Sequence, residues 1–304
     1  MKVEPQYIFQ NKKIEDIWYI FFALSDSSSF EISIGKKGKY AISTETMMSV
    51  LNTLTAIDFC SSRNAYSDAY TLIRKYRDDL MQYLFILNVI QNTHGLTEDE
   101  INSYTFDLDS MIKMIESDFS ILSSGKYKSD VQLAMESWMY NDLDDTNNAQ
   151  YRKQYFDTSK YKKYLMSTDK RIDSLMKTFL NPIWASSDRT LNNYVHTNGK
   201  KYLTDNYIYQ VDSQKKTVEL VNTLQQITNI FLCLLAIVDS TKMMSSDYRD
   251  YSEMGEQPPD NCQYWVCPCI IDYFNISLNK ELLSYIQANE NNGMMFMSKD
   301  YKNF

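Results

Sequence analysis

Residues 63–91 read RNAYSDAYTLIRKYRDDLMQYLFILNVIQ, and Ala69, Ile73, Tyr76, Leu80, Tyr83 and Leu87 recur in them at three- and four-residue spacing. That period puts the apolar side chains on one stripe of an amphipathic α-helix. Asn92 to Gly95 then supply an ending. Arg77 falls beside the stripe rather than opposite it, so it needs a partner. A second long segment, 215–243, repeats the pattern with Leu220, Leu224, Ile227, Phe231 and Leu234, and is expected at the centre of the core.

Working outward, Thr44 followed by Glu45 suits the start of a helix running to about Ile57. Further helices are expected over 108–122, 129–140, 147–165 and 169–180, with Pro182 interrupting the last and a new helix starting near Ser186. A final helix is expected over 277–290, stopping near Gly293. The short apolar run Ile14 to Leu24 does not settle between helix and strand, and KYLTDNYIYQV at 201–211 admits strands. Phe30 to Ile34 and Tyr40 to Ser43 flank Gly-Lys-Lys-Gly at 35–38, a pattern for a small β-hairpin. The turn-rich acidic stretch 245–260 reads as a surface loop. With 7 glycines and 5 prolines in 304 residues, backbone breakers are too scarce for a many-turned sandwich. The expectation is a mainly α protein, one domain over 1–304. It comprises an N-terminal elaboration (1–60), a helical core (61–245) and an acidic loop with a C-terminal helix (246–304).

Hydrophobic residues at 44% and charged residues at 23% are the balance of a globular chain, not a disordered one. MKVEPQYIFQNKK at the start lacks the features of a secretory signal, and the strongly apolar run Ile230–Val238 is short of the roughly 20 residues that span a bilayer. A cytoplasmic protein without a membrane partner is expected. Five cysteines, at 60, 233, 262, 267 and 269, form an odd set that argues against a disulfide framework. The net charge of −8 excludes a uniformly basic nucleic-acid surface. Its distribution is uneven. Residues 96–119 hold seven acids and one lysine, whereas 149–171 hold seven bases and two acids, so opposite faces of opposite sign are expected.

The string with chemical content is Asp188-Arg189-Thr190-Leu191-Asn192-Asn193-Tyr194-Val195-His196-Thr197-Asn198-Gly199. Ser186 or Ser187 can cap a helix there, and Gly199 suits the position just past its end. Residues seven apart complete almost two turns, so Arg189 and His196 share a face, with Asn192 and Asn193 between them. An imidazole near neutrality transfers protons, and a guanidinium holds a phosphate.

This Arg-x6-His string resembles the HEPN superfamily, whose nuclease members carry an Arg, four to six intervening residues and a His near the start of a late helix of a small bundle. The resemblance covers about residues 61–245 and implies a HEPN-like bundle. It also implies a homodimer with a composite site, and RNA cleavage without a metal or other cofactor that leaves a cyclic phosphate. His196 would then transfer a proton or hold the attacking 2′-hydroxyl, and Arg189 would hold the scissile phosphate. Asn192 and Asn193 depart from the commoner pattern, in which the polar residue directly follows the Arg, a position held here by Thr190, and their roles are less defined for that reason. Charged residues of an earlier helix approach the pair in that family, which makes Arg77 and Asp78 secondary candidates. By the same analogy the chain would be a toxin or antiphage abortive-infection effector, acting on RNA, tRNA among it, and held by an antitoxin or regulatory protein. The competing reading gives Arg189 an ordinary ion pair and His196 a helix-capping role; the chain would then be a catalytically inactive helical RNA- or protein-binding module.

Three other features invite a reading. Arg152, Lys153, Lys160, Lys162 and Lys163 interleave with Tyr151, Tyr155, Phe156, Tyr161 and Tyr164, a cation-and-ring pattern that can serve single-stranded RNA binding but is read in preference as an amphipathic helix with its rings in the core. The 24 tyrosines suit a protein-docking surface. Cys262, Cys267 and Cys269 lack paired Cys-x-x-Cys spacing and a nearby histidine, which disfavours zinc. His94 sits in Asn-Thr-His-Gly, at an expected helix end where capping is the natural role.

Overall fold

The computed structural model describes residues 7–27, 32–35, 38–92, 130–139, 154–206, 212–245, 250–251, 254, 256 and 266–290. The expected helix at 108–122, the region of His94, the whole acidic stretch 96–119 and most of the loop 245–260 lie outside them.

The described residues are mainly helical. In chain order they form α1 (Lys12–Ser27), β1 (Ile32–Gly35), β2 (Gly38–Ala41), α2 (Ile42–Ser62), α3 (Tyr66–Gln91), α4 (Asp130–Met139) and α5 (Thr158–Thr168). After them come α6 (Lys170–Leu175), a π-helical turn (Met176–Leu180), α7 (Asn181–Val195) and α8 (Lys200–Thr204). The last are α9 (Ser213–Asp239), a 3₁₀ turn (Ser240–Met243), α10 (Pro268–Ser277) and α11 (Lys280–Asn289). The two strands pair antiparallel, Ile32 opposite Ala41 and Gly35 opposite Gly38.

Helix α9 is the axis. From Ile230 to Asp239 every residue is buried, so no face of this stretch meets water. Such a helix is stable only when other elements surround it, and α1, α3, α6, α7, α10 and α11 all pack on it. Phe231 shows how: its ring stacks on Phe21 of α1 at 5.5 Å and lies 6.3 Å from Tyr83 of α3. The apolar helix is longer than the run Ile230–Val238 suggested. Ser213–Met243, 31 residues, is long and apolar enough by length and composition to cross a membrane, but 72% of its most apolar 18-residue stretch is buried inside the protein.

Polar groups brought into this core are matched. Tyr76 and Thr228 share a hydrogen bond of 2.8 Å between α3 and α9. Tyr66 donates to the Ser213 carbonyl at 2.7 Å, and Tyr194 to the buried Asp205 carboxylate at 2.7 Å. Asp58, fully buried in α2, accepts the backbone N–H groups of Gln10 (2.8 Å) and Asn11 (3.0 Å) and the hydroxyl of Tyr7. One carboxylate thereby satisfies the orphan donors at the entry to α1.

Several local expectations are corrected. Ile14 to Leu24 is helical. Helix α2 starts at Ile42, so Thr44 lies within it, and Lys200–Thr204 is a helical turn where a strand was admissible. Pro182 does not break the chain into two helices: it sits in the first turn of α7, preceded by the π-helical turn. A proline ring clashes with the carbonyl four residues back and offers no N–H, and the widened turn absorbs both defects. Ser187 is consequently inside α7, donating to the Ile183 carbonyl at 2.9 Å, and caps nothing.

Truncation of Phe231 to Ala should cost about 3–5 kcal/mol, the range for a fully enclosed aromatic side chain. Urea unfolding followed by far-ultraviolet dichroism measures it; a loss under 1 kcal/mol would contradict a tightly packed axis.

Candidate functional site

Helices α3 and α7 pack side by side, both against α9, and their shared polar edge carries the candidate residues. The α7 terminus is unusual. His196 is its C-cap, and Thr197 follows in the left-handed region at φ 48°. Thr197 N–H donates to the Tyr194 carbonyl (3.2 Å) and Asn198 N–H to the Asn193 carbonyl (2.9 Å), the two bonds of a Schellman ending. Gly199, expected at that left-handed position, instead precedes α8 at φ 133°. A β-branched residue with positive φ is strained, and the strain sits directly beside His196.

The His196 side chain is exposed, and its Nε2 lies 3.4 Å from Nη1 of Arg74 on α3. A guanidinium only donates, so a hydrogen bond here requires the tautomer whose Nε2 accepts and whose proton is on Nδ1. Arg74 also approaches Asp78, with its Nε 3.7 Å from the carboxylate. From there the polar network continues inward. Arg77, only 4% exposed, donates to Asp78 at 2.9 Å and to Asp188 of α7 at 2.6 Å, and its guanidinium lies 5.3 Å from the Trp184 ring centre. Asp188 also accepts from Asn192 at 3.1 Å. The charge that the sequence placed beside the apolar stripe is thus a buried cation bridging two helices.

These groups border an open cleft of about 750 Å³ lined by Arg74, Arg77, Lys162, Lys163, Trp184 and Asn192 among others. Its charged lining comprises four cations and three carboxylates, Asp78, Asp157 and Asp188. The carboxylates are already engaged: two hold Arg77, and Asp157 caps α5 by accepting the Ser159 N–H at 2.9 Å. Neither Lys162 nor Lys163 forms an ion pair among the described residues. Burial pushes the Lys162 ammonium below the ordinary lysine value, and the Asp188 carboxylate acts in the opposite direction. Its ammonium stands 5.2 Å from the Trp184 ring centre.

The sequence-derived candidates therefore separate. Asn192, Arg77, Asp78, Lys162 and Lys163 meet at the cleft, with His196 joined to it through Arg74. Arg189 is exposed and is not among the residues lining the cleft. Asn193 bonds Asn198 within the helix ending, a structural duty. Lys160 is not among the cleft-lining residues, and Arg152 and Lys153 lie outside the described residues. The stacking-platform reading of the aromatic stretch is corrected: Phe156, Tyr161 and Tyr164 all pack on Phe85 of α3, with centroids 4.9–5.5 Å apart, so their faces belong to the core. Arg74 is the functional candidate that sequence reasoning passed over. It lies one turn before Arg77 and Asp78, and only the packing of α3 on α7 sets it beside His196.

Replacing Thr197 by Gly should stabilise the protein by about 1 kcal/mol, the cost of a left-handed side-chain residue, read as a rise in the denaturation midpoint. Lys162 should titrate below the usual lysine value of about 10.4. Asp188→Asn removes the carboxylate that favours the ammonium, so the midpoint should fall further; a rise, followed by NMR of the labelled lysine, would refute the placement. The chain matches no family model, no curated protein and no solved structure in the comparisons made with each.

Proposed function

We propose that the chain is a metal-independent endoribonuclease of HEPN type, with α3, α7 and α9 as the heart of a HEPN-like bundle. The observation that carries the reading is the approach of His196 Nε2 to Arg74 Nη1, 3.4 Å apart, at the edge of the cationic cleft. In this reading Arg74 turns from Nε2 to the bound phosphate, the freed Nε2 takes the proton of a ribose 2′-hydroxyl, the oxygen attacks the adjacent phosphorus, and the 5′-oxygen of the next nucleotide leaves. Arg74, Lys162 and Lys163 hold the non-bridging oxygens and stabilise the charge that develops there. Asn192 and Arg77 position the wall of the cleft through Asp188.

Arg189 enters through a homodimer. Its exposed guanidinium on the outer face of α7 is available to a second copy, so the proposed composite site places it against the partner's RNA phosphate. A role as toxin or antiphage effector, cytoplasmic, acting on tRNA or other RNA and restrained by an antitoxin or regulatory protein, extends the same proposal. The three carboxylates in the cleft favour the rival, a catalytically silent module that binds RNA or protein.

Purified protein incubated with total RNA and tRNA in EDTA decides between them. Wild type should leave cyclic phosphate ends, His196→Ala should cut at least about 100-fold more slowly, and Arg74→Ala should lose a similar factor with its fold intact. RNA binding without cleavage by any of the three would establish the silent module. Arg189→Ala should match His196→Ala if the site is composite, and wild-type rates in that variant would remove Arg189 from the site.

A further inference from the structure

Cys267-Pro268-Cys269 opens α10, with Cys267 as the N-cap and Pro268 at the first helical position. Both thiols are free, both are partly exposed, and their sulfurs stand 3.2 Å apart. The pair is held rather than loose. Cys267 N–H donates to the Met243 carbonyl at 2.7 Å, Val266 bridges to Met244, and the Cys267 carbonyl accepts from Ile270 at 2.9 Å. Cys269 opens onto a cleft of about 720 Å³ between α1, α9 and α10, whose rim includes Lys13, Asn222 and Gln226. Small thiol reagents therefore have a route to it.

We propose that Cys267 and Cys269 form a reversible dithiol–disulfide site that exchanges with small disulfides of the glutathione class. The Cys267 thiolate attacks one sulfur of oxidised glutathione, forming a mixed disulfide and releasing one glutathione thiolate. The Cys269 thiolate, at 3.2 Å, then attacks the Cys267 sulfur and releases the second glutathione. Two protein thiols are oxidised, one glutathione disulfide is reduced to two thiols, and the two protons that leave the cysteines are taken up by the two departing glutathione thiolates. The order follows from the environment. The hydrogen bond from Cys269, with the N–H groups of Cys269 and Ile270, lowers the Cys267 thiol below its usual range, and the shared proton stays on Cys269, whose thiol is raised. The other described cysteines are unsuited to exchange, because burial raises the thiols of both Cys60 and Cys233.

The full reduced chain is equilibrated in glutathione buffers of rising oxidised fraction, quenched in acid, alkylated and mapped by peptide mass. The peptide holding both cysteines should lose about 2 Da, the two hydrogens of the new bond, while Cys60 and Cys233 remain alkylated. Cys269→Ser should trap glutathione on Cys267, a gain of about 305 Da, and Cys267→Ser should abolish the exchange. With Cys262→Ser as background the result should be unchanged. Full alkylation of Cys267 at every buffer ratio, or oxidation that disappears with Cys262→Ser, would overturn the proposal. The readout is independent of RNA cleavage.

Discussion

The structure depends on a helix that has no solvent face. Over its last turns α9 buries every side chain from Ile230 to Asp239, and at roughly 25 cal/mol per Å² the apolar surface there cannot be left wet. The remaining helices are arranged by that demand. Helices α1 and α3 supply Phe21 and Tyr83 against Phe231, and α10 and α11 add Phe274, Leu282 and Ile286 to the same core. Because tyrosine is as large as phenylalanine but carries a hydroxyl, each one drawn into this core requires an acceptor. Tyr66, Tyr76 and Tyr194 find theirs in Ser213, Thr228 and Asp205. Part of the tyrosine richness that suggested a docking surface is thus core architecture.

The same demand creates the polar site. For α3 to cover α9 with one face and meet α7 with an adjacent one, the boundary between those faces must run along Arg74, Arg77 and Asp78. A guanidinium as buried as that of Arg77 is tolerated only when it is paired and hydrogen-bonded, and Asp78 and Asp188 meet that need. Those carboxylates are thereby tied to Arg77, leaving Lys162 and Lys163 of α5 as the cations of the cleft without an ion pair among the described residues. The left-handed Thr197 closes α7 at the point where His196 must turn towards Arg74. Such strain persists only when surrounding packing over-determines it.

Residues that repeat with a helical period were legible one by one. Ala69, Ile73, Tyr76, Leu80, Tyr83 and Leu87 are all buried, as are Leu220, Leu224, Ile227, Phe231 and Leu234. The need of Arg77 for a partner was legible too, from its position beside the stripe. Helix boundaries were less so: the widened turn before Pro182 lets one helical stretch follow another where the sequence pattern suggests a stop. The face of α7 was legible in part. Period alone groups Arg189 with His196, but burial turns Asp188 and Asn192 to the cleft and leaves Arg189 outside.

By itself the sequence determined a mainly helical chain, the two long apolar stripes, and a short polar string ending in His196, because these follow from periodicity and side-chain chemistry within a few turns. Only the tertiary structure decided which cation meets His196, which aromatic rings are core, and which thiols touch. Those pairings join residues 122 positions apart, as Arg74 and His196 are, or depend on the way a turn is held against a neighbour, as at Cys267 and Met243. They are set by how rigid helices share one buried axis, and no local pattern encodes the angle at which two helices come to lie.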